Sequence, residues 1–368
     1  MKQRNPAMDL IRCLCIFCVV AEHFFKYSNF YDYKVVGTTM IFMVMCRCFC
    51  MVCVPLYLMM SGYFLGKKTL TRSYYKGLIP LIGVYLIVSF LTIGLEATLF
   101  PQDFSLKESL WGILSFETAN YAWYVEMYIG LYLLIPFLNG MYHSIGSKKK
   151  KTCFILTLII LAILPGSLNI WNLTSPDWWK HPGSSAKFTK IFPDYWVFLI
   201  PLVYYYLGMY VKEYPIKLKA LPNFLLIVAV IAGQTALNYY RSYGYKFKVG
   251  FWSDYGALPI TILGILIFSF FQNRNYQFLG QKPRRILAYC ASLVYGAYLC
   301  SGPVDRVAYS ILDKLLPTLH VRFRFYPLIV PVIVLGAMLL SAGVNLLYKQ
   351  LEKLWTKKPV QCTPGDGQ

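Results

Sequence analysis

Stretches of apolar sequence long enough to cross a bilayer recur along the whole 368-residue chain. They lie near residues 8–26, 37–65, 78–99, 121–140, 152–169, 195–211, 221–238, 252–271, 286–301 and 326–348. A hydrocarbon core about 30 Å thick takes about 20 residues of helix. Within it every backbone N–H and C=O must be satisfied internally, which leaves helices or closed barrels as the spanning structures. The lengths predict an all-α polytopic membrane protein with about ten transmembrane helices, the run at 286–301 being the shortest. With 57% hydrophobic residues and a mean hydropathy of +0.50, the chain is too apolar for a soluble domain. No internal repeat and no soluble appendage stand out. The expected organisation is a single membrane domain over 1–358 and a short, disordered cytoplasmic tail over 359–368.

The formal charge is +20. In a soluble protein this excess would suggest nucleic acid, but here no soluble basic domain exists to bind it. Basic loops facing anionic headgroups account for it instead. If the N-terminus lies inside, 21 of the 36 Lys and Arg residues fall on the cytoplasmic side and 13 outside, with Arg12 and Arg47 within apolar runs. The positive-inside rule then puts both termini in the cytoplasm. The first run lacks a small-residue cleavage site, so no removable signal is expected.

That first run, Met8 to Phe25 (MDLIRCLCIFCVVAEHFF), carries Arg12, Glu22 and His23. Ionisable groups at bilayer depth are costly, and the default reading of them is functional. Arg12 and His23 are eleven positions apart, three full turns plus about 20°, so they share one helix face about 16 Å apart along the axis. Glu22, about 100° around the helix from His23, is expected to point elsewhere. A plainer alternative has Arg12 snorkelling to the inner interface and His23 satisfied at the outer one.

Arg12, ten intervening residues and then His23 resembles the R-x10-H signature of the acyltransferase-3 family of integral membrane acyltransferases. Other stretches support the likeness. VPLYLMMSGYFLGKK, Val54 to Lys68, is similar to the family's second helix and its Ser-Gly-aromatic close. There Ser61 and Gly62 would let a neighbouring backbone come near. In TRSYYKGLIPL, Lys76 takes the place of a family basic residue and Arg72 lies one position out of register with another. NYAWYVEMYIGLYLLIPFLN, Asn120 to Asn139, is the longest similar stretch, and YWVFLIPLVYYYLGMYVKE fits a Leu-Gly helix end. SLVYGAYLCSGPV, Ser292 to Val304, departs from the pattern, with Ser301 where a histidine is common. Asp305 and Arg306 follow it as a candidate surface pair.

The resemblance implies an acyl-coenzyme A co-substrate, acetyl by family precedent, with no permanently bound cofactor. Its phosphates would meet Arg12, Arg72, Lys76 and Arg47, since cations and phosphate oxygens form charge-assisted bonds. Lys67 and Lys68 would add to this basic cluster, which otherwise reads as an ordinary lipid-facing loop. His23 would act as general base, an imidazole being suited to proton transfer near neutral pH, or would carry a transient acyl group. The acceptor would be a hydroxyl of a surface glycan, or of a lipid-linked or secreted intermediate. The implied setting is a bacterial cell membrane, with membrane lipids as neighbours.

Several polar residues within or beside the runs remain. Glu126, one turn inside an apolar run, wants a partner, and His23 or Arg47 is the natural candidate. Trp123 reads as a substrate contact or as an interfacial belt residue. So do Trp178 and Asp177 in the long loop Asn169 to Asp194, where His181 and an Asn172-Leu173-Thr174 sequon also lie. Eleven cysteines include two C-x-x-C spacings, Cys15 to Cys18 and Cys50 to Cys53. Their flanks are continuous apolar helix rather than the turns of a zinc site, so packing is the expected role and no metal is expected. Three function classes stay open on sequence: a membrane O-acyltransferase, a transporter or flippase of a glycan or lipid precursor, and a non-catalytic scaffold.

Overall fold

The computed structural model describes residues 4–119 and 121–356. The expected tail, 359–368, and the last two residues of the expected domain lie outside them. Fourteen α-helices are described: α1 Pro6–Tyr27, α2 Thr38–Cys50, α3 Cys53–Leu65, α4 Leu78–Leu99, α5 Leu106–Leu114, α6 Trp123–Ser144, α7 Lys148–Ala162, α8 Leu164–Leu168, α9 Ile200–Glu213, α10 Ala220–Ser242, α11 Leu258–Gln272, α12 Gln281–Leu315, α13 Leu319–Arg324 and α14 Tyr326–Thr356. Among the described residues there is no strand, only two isolated bridges that pair Lys34 with Lys246 and Val35 with Tyr243.

Every apolar run overlaps a helix, and among the described residues length and hydropathy single out fewer candidate spans than the ten expected. Six helical stretches are both long and apolar enough to cross a membrane: Thr38–Leu65, Tyr75–Leu99, Trp123–Ser144, Ala220–Ser242, Gln281–Leu315 and Tyr326–Trp355. The first of these joins α2 and α3 through Met51 and Val52. α1 is long enough at 22 residues but carries Asp9, Arg12, Glu22 and Lys26. The run at 152–169 breaks at Ile163 ahead of Pro165, since proline clashes with the preceding turn. α9 and α11 are 14 and 15 residues long. The run expected to be the shortest, 286–301, is instead part of the 35-residue α12, the longest helix described. Pro303 within it does not end the helix, because the neighbours α1, α4 and α14 hold both halves.

α1 is the axle of the bundle and packs against α2, α3, α11, α12 and α14. It begins where Asn5 accepts a hydrogen bond from the Ala7 N–H and Pro6 occupies the first turn, a cap and a preset φ that both favour initiation. Its central position explains how it tolerates so many ionisable groups: bundle interior, rather than lipid, surrounds them.

The most extensive pairings are α12 with α14 and α3 with α9. α3 and α9 touch through their backbones. A Cβ at Gly62 would lie 1.8 Å from the Tyr205 carbonyl oxygen, and one at Gly208 would lie 1.9 Å from that of Met59. The small residues expected to admit a close neighbour do so reciprocally. α6 clamps the far end of this pair. Asn139 donates to the Leu65 and Lys68 carbonyls at 2.9 and 2.7 Å and accepts from the Tyr205 hydroxyl at 2.7 Å.

Candidate active site

A cavity of about 710 Å³ runs along the exposed side of α1. α1 contributes Arg12, Val19, Glu22, His23 and Lys26; α3 contributes Cys53, Tyr57, Ser61 and Phe64; α6 adds Trp123, Tyr124 and Tyr128; α12 adds Tyr295 and Tyr298. The helical spacing that put Arg12 and His23 on one face therefore opens that face into one cavity, about 16 Å of helix apart.

His23 is buried, at 7% exposure. Its Nδ1 lies 2.9 Å from Oδ2 of Asp305, a carboxylate with no exposed surface. Tyr121, in the turn before α6, stacks on the imidazole with ring centroids 3.6 Å apart and planes 21° from parallel. The Tyr121 hydroxyl donates to the same Asp305 oxygen at 3.4 Å. An ionised carboxylate only accepts, so with Asp305 ionised the shared proton belongs to Nδ1. That leaves Nε2 as the basic nitrogen, because the bond one ring nitrogen makes sets the state of the other. A buried carboxylate holding an imidazole by one nitrogen is the arrangement that proton-transfer sites use to fix tautomer and orientation.

Asp305 is thus not half of a surface pair. Arg306 turns away to Asp103, at 3.1 Å. Sequence reasoning closed the ninth run at residue 301, and Asp305 fell outside it. The available signal was an acid within an apolar stretch that continues past Pro303. Ser301, one turn before Asp305, is buried and donates to the Tyr298 carbonyl at 2.7 Å.

At the opposite end of the cavity the Arg12 guanidinium donates to Asp9 at 3.1 Å and lies 4.8 Å over the Phe64 ring. Arg4, just ahead of α1, also lines the cavity and approaches Asp9 at 3.5 Å. Two guanidiniums sharing one carboxylate leave a net positive mouth.

The remaining candidates lie elsewhere. Arg72 and Lys76 are exposed and do not line this cavity. Lys67 and Lys68 line a separate hollow of about 340 Å³ with Thr69, Thr71, Ser73, Tyr74 and Tyr132. Arg47 is buried behind α1, where it donates to the Tyr31 hydroxyl at 3.0 Å and to the Ser253 carbonyl at 2.8 Å. Tyr31 in turn donates to Glu22 at 2.9 Å, so the counter-charge of Arg47 is Glu22 rather than Glu126. Glu126 is exposed and pairs with neither Arg47 nor His23 among the described residues. Glu22 does not point away as expected, because the cavity wraps far enough around α1 to include it.

Trp123 lines the cavity and stacks on Tyr255, ring centroids 6.0 Å apart. Trp178 and Asp177 do not reach it. Trp178 packs against Trp171, Trp179 and Arg241, whereas Asp177 is exposed and pairs with Lys180. The loop is held to itself through Asn169, which bonds the backbone of Ile191 and Phe192. Cys15, Cys18, Cys48, Cys50 and Cys53 are buried, uncrosslinked side chains of the first three helices.

No curated protein and no solved structure matches the chain. The family model for an acyltransferase domain matches residues 5–344, which takes in α1, its cavity, the Asp305 helix and all but the end of α14. The chain belongs to the acyltransferase-3 family of membrane acyltransferases.

Proposed function

We propose that the protein moves an acyl group, acetyl, from cytoplasmic acyl-coenzyme A to a hydroxyl of a cell-surface glycan or of a lipid-linked or secreted intermediate, with His23 as general base. The observation that carries this reading is the His23–Asp305 pair, 2.9 Å apart, opening onto the same cavity as Arg12. The donor enters at the Arg12 end, where its phosphates meet the two guanidiniums, and its pantetheine arm follows the groove between α1 and α3. About 16 Å of helix between Arg12 and His23 suits an extended arm that brings the thioester to the imidazole.

At the imidazole, Nε2 of His23 takes the proton of the acceptor hydroxyl as its oxygen bonds to the thioester carbon. Asp305 stabilises the resulting imidazolium through Nδ1, as a buried carboxylate does in the serine-hydrolase triad. When the tetrahedral adduct collapses, the C–S bond breaks and the imidazolium returns the proton to the departing sulfur, giving free coenzyme A and the ester.

The test is release of free thiol from acetyl-coenzyme A by the detergent-purified protein with candidate glycan acceptors. Wild type releases thiol in an acceptor-dependent manner. His23→Ala, correctly inserted and monodisperse, does not. Equal rates from the two proteins would overturn the proposal.

A further inference from the structure

Beside His23, the buried Arg47 is tied through the Tyr31 hydroxyl to one carboxylate oxygen of Glu22. This chain has a physical cause. A guanidinium at 3% exposure inside a membrane bundle is tolerated only with a partner, and Glu22 is the nearest anion it reaches. Tyr31 accepts from Arg47 and donates to Oε1 of Glu22, so the phenol is fully committed and the Glu22 side chain is held in place. Oε2 of Glu22 has no hydrogen-bond partner among the described residues, and Glu22 lines the cavity. An ionised carboxylate only accepts. The cavity therefore contains a held acceptor one residue from the base, suited to a ligand that supplies a hydrogen-bond donor such as a hydroxyl. Trp123 and Tyr255, stacked with their planes 24° apart, line the same cavity.

We propose that Glu22, with the Trp123–Tyr255 wall, forms the acceptor subsite, and that the acceptor is a pyranose with two neighbouring hydroxyls. One hydroxyl meets His23 and is acylated; the adjacent one donates to Oε2 of Glu22; the apolar face of the ring lies on the indole. This assignment deepens the acyl-transfer reading and rests on it for the role of His23. Rejection of analogues follows from the chemistry. A ring lacking the second hydroxyl leaves a carboxylate oxygen desolvated and unpaired, a penalty that mere loss of contact would not impose.

The experiment uses the full chain in detergent and, as probes, methyl glucopyranoside, galactopyranoside and mannopyranoside together with their monodeoxy derivatives. Binding is read by saturation-transfer NMR, and turnover by thiol release from acetyl-coenzyme A. At least one parent glycoside binds wild type, and one of its deoxy derivatives binds at least tenfold more weakly. Glu22→Gln keeps the amide oxygen for Tyr31, raises KM for the parent at least tenfold, and binds parent and deoxy glycoside alike. Trp123→Leu, checked for an unchanged thermal midpoint, also weakens the parent at least tenfold. Three results would overturn the subsite: no glycoside bound by wild type, full hydroxyl discrimination retained by Glu22→Gln, or unchanged binding by Trp123→Leu. Glycoside binding without any thiol release would leave the subsite standing and remove the acyl-transfer reading.

Discussion

At residue scale the site rests on one proton and one charge pair. Asp305 holds Nδ1 of His23 at 2.9 Å and, when ionised, keeps the proton on that nitrogen. Asp305→Asn keeps the shape but offers an amide N–H to that nitrogen, favouring the wrong tautomer. The expected loss in kcat is on the order of 10³–10⁴-fold, with KM for acetyl-coenzyme A nearly unchanged; a loss under tenfold would reduce Asp305 to a packing residue. Tyr121→Phe removes one long hydrogen bond at 3.4 Å and keeps the stack, so about 1 kcal/mol, or roughly fivefold in rate, is expected. Arg12→Ala removes a phosphate partner at the other end of the cavity, and KM for the donor rises at least tenfold while the acceptor KM holds. If donor KM is indifferent to Arg12, the coenzyme enters by another route. Asp305 and Glu22 show where single-residue reading stopped. Their partners, His23 and Tyr31, lie 282 and 9 positions away, and neither spacing is a helical period.

At the scale of elements, α3 and α9 form the rigid wall against which the cavity-lining residues of α3 are set. Their contact is backbone on backbone at Gly62 and Gly208, and lipid supplies no hydrophobic drive to hold helices together. Close approach and dispersion must do so instead. Gly62→Ala and Gly208→Ala each push a methyl into a carbonyl, and a loss of about 1–3 kcal/mol is expected, seen as a lower midpoint in thermal unfolding in detergent. Alanine for serine at the neighbouring position, Ser61→Ala, puts no atom into the α3–α9 contact and removes a hydroxyl that bonds its own helix at Tyr57, so it shifts the midpoint little. Unchanged midpoints for both glycine variants would show that the two helices separate easily. The Ser-Gly and Leu-Gly elements were visible in sequence, and so was the smallness of their side chains. Which helix each one faced was not, because lipid-facing and protein-facing glycines look alike along a chain.

Across the whole molecule, the cavity has a positive mouth at Arg4 and Arg12 and a polar aromatic end at His23, Lys26 and Trp123. Charge counting predicts that the first end faces the cytoplasm. Cysteines introduced at Ser147, before α7, and at Ser175, in the long loop, report this directly. With an impermeant maleimide on intact cells, Ser175→Cys is labelled and Ser147→Cys is labelled only after permeabilisation. The reverse pattern would place the Arg12 mouth outside and exclude a cytosolic donor. The sequence by itself determined that the chain is helical and membrane-embedded, and that Arg12 and His23 lie on one face, because apolar length and helical period act locally along the chain. Only the tertiary structure decided that Asp305 rather than Glu126 pairs with the imidazole, and that Trp123 rather than Trp178 reaches the cavity. Those outcomes depend on which helices become neighbours, and neighbours are set by packing between segments hundreds of residues apart.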